Sequence, residues 1–88
     1  MLVLNVSAIW TETVLPAYTW VKIATIPNDV KPSTAIRSVC ALSSGGGAIL
    51  DYTFCKVETD GGVYIWTKVG YGTVDLRAYG GAMLVWHI

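Results

Sequence analysis

With 88 residues, the chain is long enough for one domain with a modest core and too short for two, so we expect a single domain over residues 1–88. Only 14% of the residues are charged, against about a quarter in ordinary soluble domains, and 53% are hydrophobic, which predicts an apolar exterior that further copies of the chain cover. The formal net charge is zero and the sequence has no basic cluster, so we expect no nucleic-acid partner.

The sequence also argues against membrane insertion and export. The longest run without a charged residue covers residues 38–50 and contains three glycines and three serines, so it is too polar and too short to span a bilayer. Residues 1–4 lack the basic start and the small-residue cleavage site of a signal peptide. We therefore expect no membrane insertion.

Seven apolar runs rich in β-branched and aromatic residues are predicted to be strands. They cover residues 2–10, 20–26, 35–42, 48–58, 62–68, 73–79 and 82–88. The run at 73–79 alternates most regularly, with Val74, Leu76 and Ala78 inward and Thr73, Asp75, Arg77 and Tyr79 outward. Glycine or proline separates the runs at short, regular spacing, and no window has a helical period. This pattern predicts an all-β fold, an antiparallel, jelly-roll-like β-sandwich of about seven strands.

Two connecting segments have distinct compositions. Residues 27–34 contain two prolines around an Asn-Asp pair, which predicts a rigid loop. Residues 43–47 are two serines followed by three glycines, which predicts a flexible loop tip. A phosphate-binding loop would need a helix after the glycines, and the residues that follow have the pattern of a strand.

The stretch at residues 57–66 predicts a β-hairpin around Asp60-Gly61-Gly62. A two-residue loop would bury Lys56 and Glu58, which is costly for charged groups. A three-residue loop over residues 60–62, with Gly62 left-handed, instead separates an apolar face from a mixed face. The apolar face then holds Cys55, Val57, Val63 and Ile65, and the mixed face holds Lys56, Glu58, Tyr64 and Trp66. We prefer this second register.

No group of residues predicts catalysis. Spacing brings no two carboxylates together, and the one histidine, His87, has no companion ligands or nucleophile motif. We therefore expect a protein that is not an enzyme, with no catalytic residues, no metal site and no cofactor. Cys40 and Cys55 have no metal-binding spacing, and we expect two buried free thiols. A disulfide between them would form only if their strands were neighbours.

The aromatic side chains are the remaining candidates for function, because an aromatic ring packs against the C–H face of a sugar while nearby polar groups bond its hydroxyls. We expect Trp20 and Trp86 in the core or in a subunit interface. The candidate ligand-binding residues lie at outward positions or turns: Tyr64, Trp66, Tyr71 and Tyr79. For these four residues we expect subunit contacts and ligand contacts equally.

A set of ordered motifs resembles the carboxyl-terminal domain of many bacteriophage and prophage tail-fibre and receptor-binding proteins. The motifs are residues 20–27, which end in Ile26-Pro27; Pro32-Ser33-Thr34, four residues later; and the hairpin at residues 57–65 with Thr59-Asp60-Gly61, followed by a short strand and an apolar last strand. The order and spacing of the set carry the resemblance, which covers roughly residues 20–88. Ile26 stands where leucine is usual in that family.

This resemblance implies a homotrimeric β-structured tip domain in the virion tail. Such a domain is joined to other fibre or baseplate proteins and attaches the virion to a saccharide or protein on the host surface. Residues 43–47 and 70–72 would add loop contacts to a saccharide. The alternative is a purely structural, trimerising tail component whose aromatic residues are all used between subunits.

Overall fold

The chain forms eight antiparallel strands and one short 3-10 turn in the computed structural model, which describes residues 2–5, 10–11, 15–43, 49–70, 74–75 and 83–87. The strands are β1 (Leu2–Asn5), β2 (Trp10–Thr11), β3 (Thr19–Thr25), β4 (Ile36–Ser43), β5 (Ile49–Val57), β6 (Gly62–Thr67), β7 (Val74–Asp75) and β8 (Met83–Trp86). The turn covers Asn28–Val30. One sheet has the order β2-β7-β4-β5-β6-β3, and the other pairs β1 with β8.

The core lies between the two sheets, because alternate residues of the long strands are apolar and point to one side. Leu15 and buried side chains from the large sheet form one cluster with two from the small sheet. The cluster consists of Leu15, Cys40, Leu42, Cys55, Val57, Val63, Ile65, Leu84 and Trp86. This arrangement confirms the predicted all-β antiparallel sandwich, and it leaves the opposite side of the large sheet uncovered by the small one.

The two described ends of the strand predicted over residues 2–10 are both extended and pair in different sheets, and residues 6–9 lie outside the described residues. Leu2–Asn5 pairs with β8 in the small sheet, whereas Trp10–Thr11 pairs with β7 in the large sheet. An alternating pattern indicates which way side chains point and not which strand is the partner, so it could not show that the two ends pair in different sheets. Of the predicted strand at 73–79, the structure describes Val74–Asp75 as β7, and the rest of that alternation lies outside the described residues.

The hairpin between β5 and β6 has the predicted faces and a different loop. Val57 pairs with Val63, and the three-residue loop covers residues 59–61 instead of 60–62. Gly61 is the left-handed residue, with φ of 88°, and its amide donates to the Glu58 carbonyl at 2.9 Å. The loop begins one residue earlier than predicted because the Asp60 carboxylate accepts a hydrogen bond from the Gly62 amide, at 2.8 Å, and closes the turn there. The faces are unchanged because both loops have three residues.

Cys40 and Cys55 are buried free thiols, as predicted. They lie on the neighbouring strands β4 and β5, where Cys40 is opposite Thr53 and Cys55 is opposite Ser38. A hydrogen bond with the Cys40 side chain lowers the pKa of the Cys55 thiol from its ordinary value, and burial opposes this shift. The two thiols therefore serve as small packing groups inside the sandwich.

Trp86 connects the small sheet to the loop at residues 27–34. Its ring is only 4% exposed, and its indole nitrogen donates to the Val30 carbonyl at 2.9 Å. The bond satisfies the one polar atom of a buried ring and fixes the 3-10 turn against the core. The described ranges contain no helix of the length and apolarity that a bilayer span requires.

A candidate ligand-binding sheet face

The side of the large sheet that faces away from the core carries a row of apolar side chains. We call this side, formed by β3, β6, β5 and β4, the outer face. Val39 pairs with Phe54, Phe54 with Trp66, and Trp66 with Trp20, so these four residues lie side by side across four strands. We call them the aromatic row. Strand alternation places them outside because their neighbours in sequence, such as Cys40, Cys55 and Ile65, point into the core.

Trp66 contacts two other rings on the outer face, those of Phe54 and Tyr18, and both of these remain accessible. The Phe54 and Trp66 ring centroids are 5.6 Å apart, and the edge of the Tyr18 ring approaches Trp66 with centroids at 5.7 Å. Phe54 is 50% exposed and Tyr18 is 73% exposed. Tyr52, two residues before Phe54 on the same face, is 67% exposed. A soluble domain seldom exposes so many adjacent large apolar groups without a binding role.

Tyr18 takes its position beside Trp66 at a conformational cost. Its φ of 57° lies in the left-handed region, which is unfavourable for a side chain of this size. Its amide donates to the Thr67 carbonyl at 2.6 Å, and this bond holds the turn before β3 against the end of β6. Backbone strain of this kind is concentrated at ligand-binding sites.

A second row on the outer face runs parallel to the aromatic row and is basic. Arg37 pairs with Lys56, Lys56 with Tyr64, and Tyr64 with Lys22. We call these four residues the basic row. Gly62 leaves room for the Tyr64 ring, since a side-chain carbon at Gly62 would lie 2.7 Å from that ring.

Lys56 lies at the centre of the basic row and is the most constrained cation on the outer face. Its ammonium is 4.2 Å from the centroid of the Trp20 ring and 5.3 Å from that of Tyr64. The Glu58 carboxylate lies 2.8 Å from the same ammonium. Cation–π contacts and an ion pair therefore hold the Lys56 ammonium close to Trp20 of the aromatic row and Tyr64 of the basic row.

Two threonines lie under the aromatic row, on the core side of the sheet. The Thr53 hydroxyl donates to the Trp66 carbonyl, whereas the fully buried Thr67 hydroxyl has no hydrogen-bond partner among the residues that the structure describes. A buried hydroxyl without a partner keeps its full desolvation cost.

This difference predicts opposite effects for the same substitution. We expect Thr67→Val to raise the free energy of unfolding by about 1 kcal/mol, because it removes an unpaired polar atom at nearly constant volume. Thr53→Val should lower it by about 1 kcal/mol, because it leaves the Trp66 carbonyl without its donor. Urea denaturation followed by circular dichroism measures both, and a stability loss in Thr67→Val would contradict the assignment.

The structure brings two of the four predicted ligand-binding residues to the outer face. Tyr64 and Trp66 both point outward and are half-buried. Tyr71 and Tyr79 lie outside the described residues, as do most of the two predicted contact loops. Trp86 is a core residue, which is one of the two locations predicted for it.

Several residues of the outer face were not among the predicted site residues, and their positions follow from strand pairing. Trp20, predicted for the core or an interface, is half-buried on this face because it pairs with Trp66. Phe54 and Tyr52 follow from the parity of β5, since Cys55 and Val57 point inward. Tyr18 has no such signal, because it lies in a turn before β3.

The outer face offers exposed rings and cations to a ligand. The residues described contain no enclosed pocket and no group of three or more potential metal ligands. Aromatic rings, two cations and an ion pair fit the recognition of an extended ligand. Comparisons of the chain with known protein families, with curated proteins and with solved structures found no match.

Proposed function

We propose that this chain is the receptor-binding domain of a bacteriophage tail fibre or baseplate. In this proposal the outer face attaches the virion to a saccharide on the host cell surface. The aromatic row and the adjacent Tyr18 carry the proposal, because Phe54, Trp66 and Tyr18 form one connected set of rings that the core does not use. The ordered motifs shared with tail-fibre carboxyl-terminal domains give the biological setting.

As a ligand for the outer face, a saccharide fits better than the surface of another protein. Rings separated by the strand spacing can each pack against the C–H face of a sugar unit, and the adjacent row offers hydrogen-bond donors for hydroxyl groups. The donors at the edges of the row, Arg37 and Lys22, are both exposed. A flat site of this kind favours a chain of sugar units over a single one, since no cleft encloses a ligand.

Thermal unfolding in the presence of cell-wall polysaccharide from candidate hosts tests the proposal. A ligand that binds the folded state raises the melting temperature by mass action, and the increase grows with ligand concentration. Tryptophan fluorescence should change in the same titration, because Trp66 and Trp20 lie on the outer face. A melting temperature that stays constant across polysaccharides from all candidate hosts, with unchanged fluorescence, would argue for the structural alternative.

The proposed assembly is a homotrimer, and a second exposed apolar surface supports it. Val3 and Val85 pair directly across β1 and β8, and they are 49% and 42% exposed. Met83, on the same side of the small sheet, is 59% exposed. We call these three residues the aliphatic patch. An aliphatic patch without polar atoms suits contacts between subunits or with neighbouring tail proteins, and it also favours the alternative of a trimerising component without a ligand.

Substitution of Val85 by lysine tests whether the aliphatic patch forms the trimer. We expect Val85→Lys to shift the protein toward the monomer, because a charge buried between subunits is unfavourable. Val69→Lys is the matched control, since Val69 is 50% exposed and lies outside this patch. Sedimentation velocity at micromolar concentration measures both variants. An unchanged trimer in Val85→Lys would place the subunit contact elsewhere, and a wild-type monomer would contradict the trimer itself.

A further inference from the structure

We infer that the saccharide recognised by the outer face is acidic, with carboxylate or phosphate groups that bind at the basic row. This inference rests on the proposed function and specifies its ligand class. The two rows lie on the same side of the sheet, two residues apart along each strand, so one ligand can contact both.

The first argument is the placement of like charges. Arg37 and Lys56 are directly opposite each other on β4 and β5, and Lys22 lies two strands further along the same row. Like charges at directly opposed positions destabilise a sheet. The one ion pair among the described residues, with Glu58, offsets the charge of Lys56 alone, whereas a bound anion would also offset that of Arg37.

The second argument is the shortage of acidic partners. Among the described residues the structure has one ion pair, between Lys56 and Glu58, so Arg37 and Lys22 have no carboxylate partner in those ranges. The Asp60 carboxylate is engaged with the amide of Gly62. The outer face therefore presents two available cations, one at each end of the basic row.

The third argument is geometric. Strands in a sheet are about 4.8 Å apart, so the two available cations are separated by about three strand spacings. Phe54 and Trp66 lie between them in the adjacent row. A sugar unit packed on either ring would place a ring substituent toward a cation of the basic row. A chain of acidic sugars would therefore combine stacking on Phe54 and Trp66 with ionic contacts at both ends of the basic row.

An acidic saccharide fits this charge distribution better than a single-stranded nucleic acid does. Proteins that bind nucleic acid chains neutralise several successive phosphates and generally carry a marked excess of positive charge. This chain has six cationic and six acidic residues, and only two of the cations on the described outer face are available. Sparse charge with abundant ring surface favours a saccharide, whose units stack on rings, over a chain that binds mainly through successive phosphates.

The test compares polygalacturonate with its fully methyl-esterified form, which has the same backbone without the charge. Fluorescence titration of the wild-type protein at low and high salt should give binding of the acidic polymer that is roughly tenfold tighter than that of the ester, and this difference should shrink with salt. Arg37→Gln should reduce the difference. Lys31→Gln, which removes an exposed cation from the loop at residues 27–34, is the matched control and should leave it unchanged.

The possible outcomes separate the ligand class from the proposed function. Equal affinity for the acid and the ester would overturn the acidic class and leave the proposed function standing. If neither polymer binds, the acidic class is overturned, and the result with neutral wall polysaccharide decides the proposed function separately. Tighter binding of an oligothymidylate than of polygalacturonate would overturn both.

Discussion

Replacing Phe54 with alanine should weaken saccharide binding by roughly 30-fold while the protein stays folded. Phe54 is at the centre of the aromatic row, between Val39 and Trp66, and 50% of its surface is exposed. Truncation of a central aromatic side chain typically costs about 2 kcal/mol or more of binding free energy, which corresponds to this factor. Isothermal titration with the bound polysaccharide measures the effect, and circular dichroism confirms the fold.

Val69→Ala is the matched control for Phe54→Ala. Val69 is an apolar residue with the same exposed fraction, 50%, and it lies beyond the end of β6. Its truncation should leave the affinity within about twofold, since it lies outside the aromatic row. Equal affinities of both variants and the wild type would show that the ligand binds away from this row.

Replacing Trp86 with alanine should lower the free energy of unfolding by about 4 kcal/mol or more. The substitution removes a ring that is 4% exposed and leaves a cavity between the two sheets, and it also removes the hydrogen bond to the Val30 carbonyl. Because a domain of this size is stable by only about 5–15 kcal/mol, we expect a large unfolded fraction near physiological temperature. Urea denaturation at low temperature measures the loss.

Two further variants separate the contributions of Trp86. Trp86→Phe keeps most of the ring and removes the indole donor, so it should lose less than Trp86→Ala, about 1–2 kcal/mol. Tyr52→Ala truncates an aromatic residue that is 67% exposed and should stay within about 0.5 kcal/mol of the wild type. A Trp86→Ala variant as stable as Tyr52→Ala would contradict the packing of the small sheet on the large one.

The faces of single strands could be predicted from the sequence, because alternation depends only on neighbouring residues. The hairpin shows this: the cost of burying Lys56 and Glu58 selected the correct parity, and Tyr64 and Trp66 were placed outward before their partners were known. Its loop was wrong by one residue because consecutive glycines at 61 and 62 can each adopt a left-handed conformation. The Asp60 side chain decided between them.

The composition of the outer face could not be predicted, because it depends on which strands are neighbours. Trp20 joins the aromatic row through pairing between β3 and β6, which are separated by more than 30 residues along the chain. The basic row combines cations from positions 22, 37 and 56, so no basic cluster is visible in the sequence. The same reason applies to Phe54, because a single exposed phenylalanine does not predict a binding site until its pairing with Trp66 is known.

The tryptophan indole signals in a two-dimensional NMR titration with the polysaccharide test the central claim most directly. If the outer face binds the ligand, the indole signals of Trp20 and Trp66 shift with ligand concentration, while that of Trp86, buried and bonded to Val30, stays in place. Phenylalanine substitutions assign the signals. Saturable binding that leaves Trp20 and Trp66 unshifted would contradict a ligand on this face of the sheet.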